Sequence, residues 1–199
     1  FIFDYYPMQL GDGTYQVSVL ENTTGSKYRF VRTTDVPFTA SDPLIVYRAS
    51  MKLVNWTLDT GVVQRAFDLT AGMLSDRLKL GTIYDYVVRT YSYDSNKLGN
   101  LPEDYYPVLN DLLQVRKGIC YDYSAITAAM LRAIGIPAKL VMGYCSGVSG
   151  YHAWNEVWLA DEGRWIVVDT TYDAAMRSYG SWYTMEKSAA DYSNVSFFY

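Results

Sequence analysis

The sequence is poor in the side chains that most often carry chemistry: it holds one histidine, His152, and two cysteines, Cys120 and Cys145. Two cysteines cannot build a disulfide framework. One histidine and two cysteines far apart in the chain also fall short of the spacing of zinc ligands. We therefore expect no metal site, and we expect no cofactor. Any reaction that needs an imidazole must use His152.

Charge and long apolar runs are scarce as well. With 17 Lys and Arg against 21 Asp and Glu, the net charge is −4, which gives no electrostatic footprint for nucleic acid. No apolar run approaches the roughly 18 residues that a membrane span needs, so we expect no transmembrane segment in this fragment. Half of the 199 residues are hydrophobic, which is enough for a sizeable core and excludes a disordered chain.

The beginning of the chain and its tyrosine content bear on location. The chain begins at Phe1 and not at a methionine, which favours a processed or trimmed chain whose signal peptide has been removed. Tyrosine is abundant, at 20 residues, as is common in exported proteins. We expect an extracellular or cell-envelope location.

The N-terminal part of the chain has the pattern of extended structure. Residues 13–20 and 27–31 alternate on either side of a turn signal, which predicts a β-hairpin. Two further strands are predicted at 44–48 and 51–57. We assign residues 1–58 to a small N-terminal β appendage.

Residues 59–199 have the pattern of an α+β domain. The apolar spacing predicts helices over 61–75, 77–91, from about 108 to 115, and from about 120 to 134. Alternation predicts strands over 137–145, 152–159 and 164–170. The helix that begins near Cys120 is apolar nearly all round, as in a buried helix, and Gly135 ends it.

Cys120 opens that buried helix. A helix N-terminus carries a partial positive charge and unpaired N–H groups, which favour a thiolate and can receive a developing oxyanion. A nucleophilic cysteine works well at such a place. Taken alone, however, a cysteine at a helix start is more often a small buried hydrophobe.

His152 and Asp169 are brought together by a predicted hairpin. A turn centred between Ala160 and Asp161 places them directly opposite each other, and a turn centred on Asp161 and Glu162 makes them diagonal neighbours on the same face. Either register supplies the orienting carboxylate that a histidine base needs. The alternative is a half-buried surface histidine beside an ordinary strand-end aspartate.

Together these stretches resemble the core of the transglutaminase-like superfamily. The resemblance is carried by a cysteine block at 118–125 (GICYDYSA) with its continuation at 130–139 (MLRAIGIPAK) and 141–144 (VMGY), a histidine block at 152–157 (HAWNEV) and an aspartate block at 165–171 (WIVVDTT). It implies a papain-like core with a central cysteine helix packed on an antiparallel sheet. It also implies that residues 59–199 are a catalytic domain in which Cys120 is the nucleophile, His152 the base and Asp169 the orienting acid.

The remaining candidates are less marked. No glutamine marks an oxyanion donor upstream of the cysteine, but Tyr93 is similar in placement to a tyrosine seen ahead of the cysteine in bacterial members of the family. A structural tyrosine that caps the second helix is the alternative. Trp154 is a core residue or a candidate wall of the acyl cleft. We expect Cys145 to be unpaired and partly buried, because a disulfide to Cys120 would silence the nucleophile.

The resemblance favours a cysteine-dependent acyltransferase or peptidase that acts through a thioester. An amine acceptor would make the chain a transglutaminase, and a water acceptor would make it a hydrolase. The alternative is a non-catalytic module on the same fold that binds peptides or cell wall. The expected partner is a protein or peptide substrate, either free or associated with the cell wall, and not nucleic acid.

Overall fold

The structure of the protein, a computed structural model, describes residues 6–56 and 61–198. It divides into a small unit, Pro7–Val46, and a larger unit that continues from Tyr47. The predicted boundary at residue 58 lies outside the described residues. Residues 47–56, which we had assigned to the appendage, belong to the larger unit.

The small unit is built on a β-hairpin, as predicted, but its strands are longer than the sequence pattern. Strand β1 (Gly13–Thr24) pairs antiparallel with β2 (Lys27–Phe38). The strand predicted at 44–48 is wrong: Ile45–Tyr47 is a short 3-10 helix, because the Asp42 side chain accepts the N–H of Leu44 and closes a turn. The strand predicted at 51–57 is reduced to one bridge between Met51 and Val54 among its described residues.

The larger unit contains six α-helices within the described residues. They are α1 (Gly61–Thr70), α2 (Asp76–Thr90), α3 (Ser95–Leu98), α4 (Leu109–Val115), α5 (Cys120–Ala133) and α6 (Thr170–Ser178). The four predicted helices are confirmed, although α1 ends before residue 75. Gly72 takes a positive φ of 76°, which reverses the chain, and the Ser75 hydroxyl then caps α2 by accepting the N–H of Leu78.

Two sheets accompany the helices. The short strands β3 (Ser92–Tyr93) and β4 (Lys117–Gly118) form a parallel pair. The main sheet is antiparallel, with the order β8-β7-β6-β5-β9. Its strands are β5 (Ala138–Cys145), β6 (His152–Leu159), β7 (Arg164–Val168), β8 (Glu186–Lys187) and β9 (Tyr192–Phe198). Strands β8 and β9 and helices α3 and α6 were not predicted.

Helix α5 lies at the centre of the larger unit and is buried along nearly its whole length. Apolar side chains of α1, α2, α4 and the sheet form one core with it. Asn155 of β6, which is fully buried, donates from Nδ2 to the carbonyls of Ser124 and Lys139, each at 3.0 Å. These bonds fix the first turns of α5 against the strand that begins at His152.

Candidate active site

Cys120 is the first residue of α5, and a buried polar group holds this helix end in place. The Asp122 carboxylate, 1% exposed, accepts the N–H of Ile119 at 2.9 Å. The same carboxylate accepts hydrogen bonds from Lys97 Nζ at 2.6 Å and from the Tyr105 hydroxyl. These three hydrogen bonds occupy the Asp122 carboxylate, which therefore positions the start of the helix.

His152 and Asp169 are in contact, as predicted. His152 Nε2 lies 2.7 Å from Asp169 Oδ2, and the two residues are 4% and 0% exposed. Asn155 pairs with Val168, which is the second of the two predicted registers. The strand predicted to reach residue 170 ends at Val168, because Asp169 Oδ1 accepts the N–H of Tyr172 at 2.9 Å and caps α6.

The charge state of His152 follows from its two partners. Burial alone lowers the pKa of an imidazole, but hydrogen bonds to Asp169 and to the sulfur of Cys120, with the charges of both groups, raise the pKa of His152 from 6.5 to about 10. These partners favour the protonated form of the ring, because one ring nitrogen faces the carboxylate and the other faces the sulfur.

Cys145 lies beside this pair. It is unpaired, as predicted, and 8% exposed. Burial, with the nearby charge of Asp169, raises the pKa of its thiol to about 11. Its sulfur, a ring nitrogen of His152 and a carboxylate oxygen of Asp169 lie within 4.8 Å of one another. Spacing along the chain argued against a metal site, yet the fold assembles three residues of metal-ligating type here.

Tyr93 is brought close to Cys120 by the short parallel strands. Tyr93 pairs with Gly118, two residues before the cysteine. A side chain at Gly118 would place its Cβ 2.6 Å from Cβ of Asp122, so glycine is required for the close approach of the Asp122 side chain. Burial, and the charges of Cys120 and Asp122, raise the pKa of Tyr93. Its hydroxyl therefore stays protonated at neutral pH and can donate a hydrogen bond.

Two aromatic residues, Trp154 and Tyr192, pack next to the His152–Asp169 pair. Trp154, for which we predict a place in the core or in the cleft wall, is only 1% exposed, and its ring stacks on His152 at 6.3 Å. Tyr192 packs on Trp154 at 4.9 Å and donates its hydroxyl to Asp169 Oδ2 at 3.0 Å. Nothing in the sequence singled out Tyr192, because the chain beyond residue 173 has no clear period.

Comparison with known proteins gives these contacts a context. The family model for the transglutaminase-like superfamily matches residues 63–170. The chain is similar to a protein-glutamine gamma-glutamyltransferase of Pseudomonas aeruginosa, with 40% identity over 32% of this chain and 11% of that protein. An uncharacterized protein of Mycobacterium tuberculosis is 34% identical over 33% of this chain and 25% of that protein. The chain thus spans a quarter or less of the length of these relatives.

Solved structures show the same fold. The periplasmic domain of TgpA from Pseudomonas aeruginosa matches with a TM-score of 0.52 and 22% identity, covering 76% of this chain and 57% of that one. A protein of Cytophaga hutchinsonii described as a candidate cysteine protease matches with a TM-score of 0.56 and 20% identity, covering 80% and 55%. The predicted papain-like α+β fold is confirmed. Within the described residues, no helix is both long and apolar enough to cross a bilayer.

Proposed function

Because the chain belongs to the transglutaminase-like superfamily, we propose that it is a cysteine-dependent acyltransferase whose donor is a glutamine carboxamide of a protein or peptide. One observation carries the proposal. A single buried imidazole, His152, contacts both the Cys120 sulfur and the Asp169 carboxylate, at the N-terminus of a buried helix. This is the arrangement of a nucleophile, its proton partner and an orienting acid.

The proposed reaction proceeds in two transfers. The Cys120 thiolate attacks the carboxamide carbon, and the His152 imidazolium gives its proton to the departing nitrogen. The C–N bond breaks, ammonia leaves, and a thioester remains on the sulfur. An amine then attacks the thioester while neutral His152 takes a proton from it, and the C–S bond breaks to return the thiolate. With water in place of the amine, the product is a glutamate side chain.

The choice of a protein donor is supported by the name of the Pseudomonas relative, a protein-glutamine gamma-glutamyltransferase. The fold shared with the periplasmic domain of TgpA supports an extracellular or cell-envelope location, where the substrates would be protein or peptide and associated with the cell wall. The proposed catalytic groups lie at the start of the central strand β6, just after β7 and at the start of α5.

The reaction is tested by incubating the protein with a glutamine-containing peptide, with and without a primary amine. We expect ammonia release in both cases, with the amide product when amine is present and the glutamate product when it is absent. Cys120→Ala is the control for contaminating activity. If no peptide is turned over and wild type and His152→Ala bind the peptide equally, the non-catalytic binding module replaces this proposal.

We assign Tyr93 as the oxyanion donor of the proposed enzyme. Its hydroxyl remains protonated, and strand pairing holds it near Cys120. Tyr93→Phe keeps the ring and removes the donor, so kcat should fall about 10²-fold with little change in KM, as for other oxyanion-hole donors. Tyr179→Phe, at a tyrosine that is 78% exposed, is the matched control. An unchanged kcat in Tyr93→Phe would contradict this assignment and favour the alternative, a structural tyrosine that caps the second helix.

Tyr192 acts in this scheme as a positioning residue. It shares the Asp169 Oδ2 atom with His152, so it draws charge from the carboxylate that stabilises the imidazolium. Since a hydrogen bond to a charged group contributes roughly 1.5–3 kcal/mol, Tyr192→Phe should lower kcat roughly tenfold or more. The alkaline limb of the pH–rate profile should also move upward. A lower kcat with an unmoved pH profile would indicate a purely structural role.

A further inference from the structure

Three side chains of metal-ligating type, Cys145, His152 and Asp169, lie close together in the proposed active site. Gly143 pairs with His152, and Cys145 lies two residues further along β5, so its side chain is on the same face as the imidazole. Asp169 follows β7, which pairs with the other edge of β6. The pairing of neighbouring strands therefore brings together a thiol, an imidazole and a carboxylate. All three residues are buried, and their ligand atoms lie within 4.8 Å of one another.

We infer that Cys145, His152 and Asp169 form a binding site for a thiophilic divalent cation such as Zn²⁺, and that an ion bound there switches the enzyme off. These residues are the types that zinc prefers, at bond lengths of about 2.3 Å for sulfur and about 2.0–2.2 Å for nitrogen and oxygen. Tetrahedral donors at those lengths lie roughly 3.4–3.6 Å apart. To bind zinc, the two ligand atoms that are now farthest apart would have to approach each other by about 1 Å. His152 Nε2 and Asp169 Oδ2, now 2.7 Å apart, would have to separate by less than that.

The charges of the bound site balance. With Zn²⁺ bound, a thiolate, a carboxylate and a neutral imidazole surround two positive charges, which gives a net charge of zero. The ion takes the Cys145 sulfur and the His152 Nε2 lone pair, so any proton on these two atoms leaves to solvent. Burial therefore imposes no uncompensated charge on the bound state.

The wider surroundings suit a ligating carboxylate. Tyr192 donates to Asp169 Oδ2 at 3.0 Å, and the N–H of Tyr172 donates to Oδ1 at 2.9 Å. Such outer hydrogen bonds orient metal-ligating carboxylates in known sites. The fourth coordination position is left to water.

The inhibitory effect rests on the proposed function, whereas the binding site does not. With the Nε2 lone pair on the metal, the one remaining ring proton of His152 sits on Nδ1, towards Cys120. The ring can then neither accept a proton nor form the imidazolium that stabilises the thiolate. Both proposed transfers lose their proton partner.

Binding is tested with Co²⁺ under a non-thiol reductant, because cobalt reports thiolate ligation by a near-ultraviolet charge-transfer band. Wild type and Cys120→Ala should both develop the band, and Zn²⁺ should abolish it by displacing cobalt. Cys145→Ser should lose the band and bind Co²⁺ at least about tenfold more weakly than wild type, and Cys145→Ala should behave in the same way. Thermal melts check that both variants are folded. No band in wild type, or a band that follows Cys120 and not Cys145, would overturn the site.

A second arm measures Zn²⁺ inhibition of glutamine-peptide turnover. Wild type should be inhibited and then restored by a chelator, whereas Cys145→Ser should keep its basal activity and need at least about tenfold more Zn²⁺. Equal inhibition of the two proteins contradicts the switch. If neither protein turns over a peptide, the proposed function fails, and the cobalt spectra still decide the metal site.

Discussion

Replacing Cys120 by alanine is expected to abolish acyl transfer. No other described side chain is placed to form the thioester at the helix start, and burial raises the pKa of the second cysteine, Cys145, to about 11, which keeps it a thiol at neutral pH. In enzymes with such triads, loss of the nucleophile costs on the order of 10⁶ in kcat, so ammonia release should fall to background. The melting temperature should change little, because one sulfur is removed at the edge of the core, from a residue that is 9% exposed.

Cys145→Ala is the matched control, since it removes the other thiol and should retain turnover. Chemical labelling distinguishes the two cysteines in the native protein. Iodoacetamide reacts with thiolates, and the pKa of Cys145 is raised to about 11, so at near-neutral pH peptide mapping should find the label on Cys120. Preferential labelling of Cys145, or a disulfide between the two cysteines in active protein, would contradict the assignment of the nucleophile.

The local features of the fold were readable from the sequence because local chemistry determines them. The apolar spacing of α2 and α5 and the glycine after α5 depend on neighbours in the chain. The contact between His152 and Asp169 was also accessible, because a hairpin fixes register through its turn. The structure selected one of two registers, and in both of them the residues share a face.

Features set by distant parts of the chain were not readable. Tyr192 reaches Asp169 only because β9 pairs with β5, and no period marks that strand. Cys145 was judged by its distance from Cys120 along the chain, whereas strand pairing places it beside His152. Trp154 alternated like a cleft residue, but the side chain of Tyr192 and those of Val141 and Val167 pack around it.

Replacing His152 by glutamine is expected to remove nearly as much activity as losing the nucleophile, because the chain has no second imidazole. Asp169→Asn should cost less, about 10²- to 10⁴-fold in kcat, since it disturbs the orientation and charge of the ring but leaves the sulfur in place. Triad members act as a unit, so the double variant His152→Gln with Asp169→Asn should be no worse than His152→Gln alone. Additive losses would mean that the aspartate acts independently of the histidine.

The variant His152→Gln also tests the charge of His152, through the pH dependence of the unfolding free energy. The folded-state pKa, about 10, lies above the ordinary value of 6.5, so the protonated ring stabilises the fold fully below pH 6.5, and this contribution is lost as the pH rises towards 10. The difference in unfolding free energy between wild type and His152→Gln, from denaturant titrations, should therefore be largest near pH 6 and shrink steadily above pH 7. A difference that grows with pH would mean a neutral imidazole at neutral pH. The Cys120 thiol would then have to lose its proton as it attacks the carboxamide. A mechanism that starts from a Cys120 thiolate paired with a His152 imidazolium would be wrong.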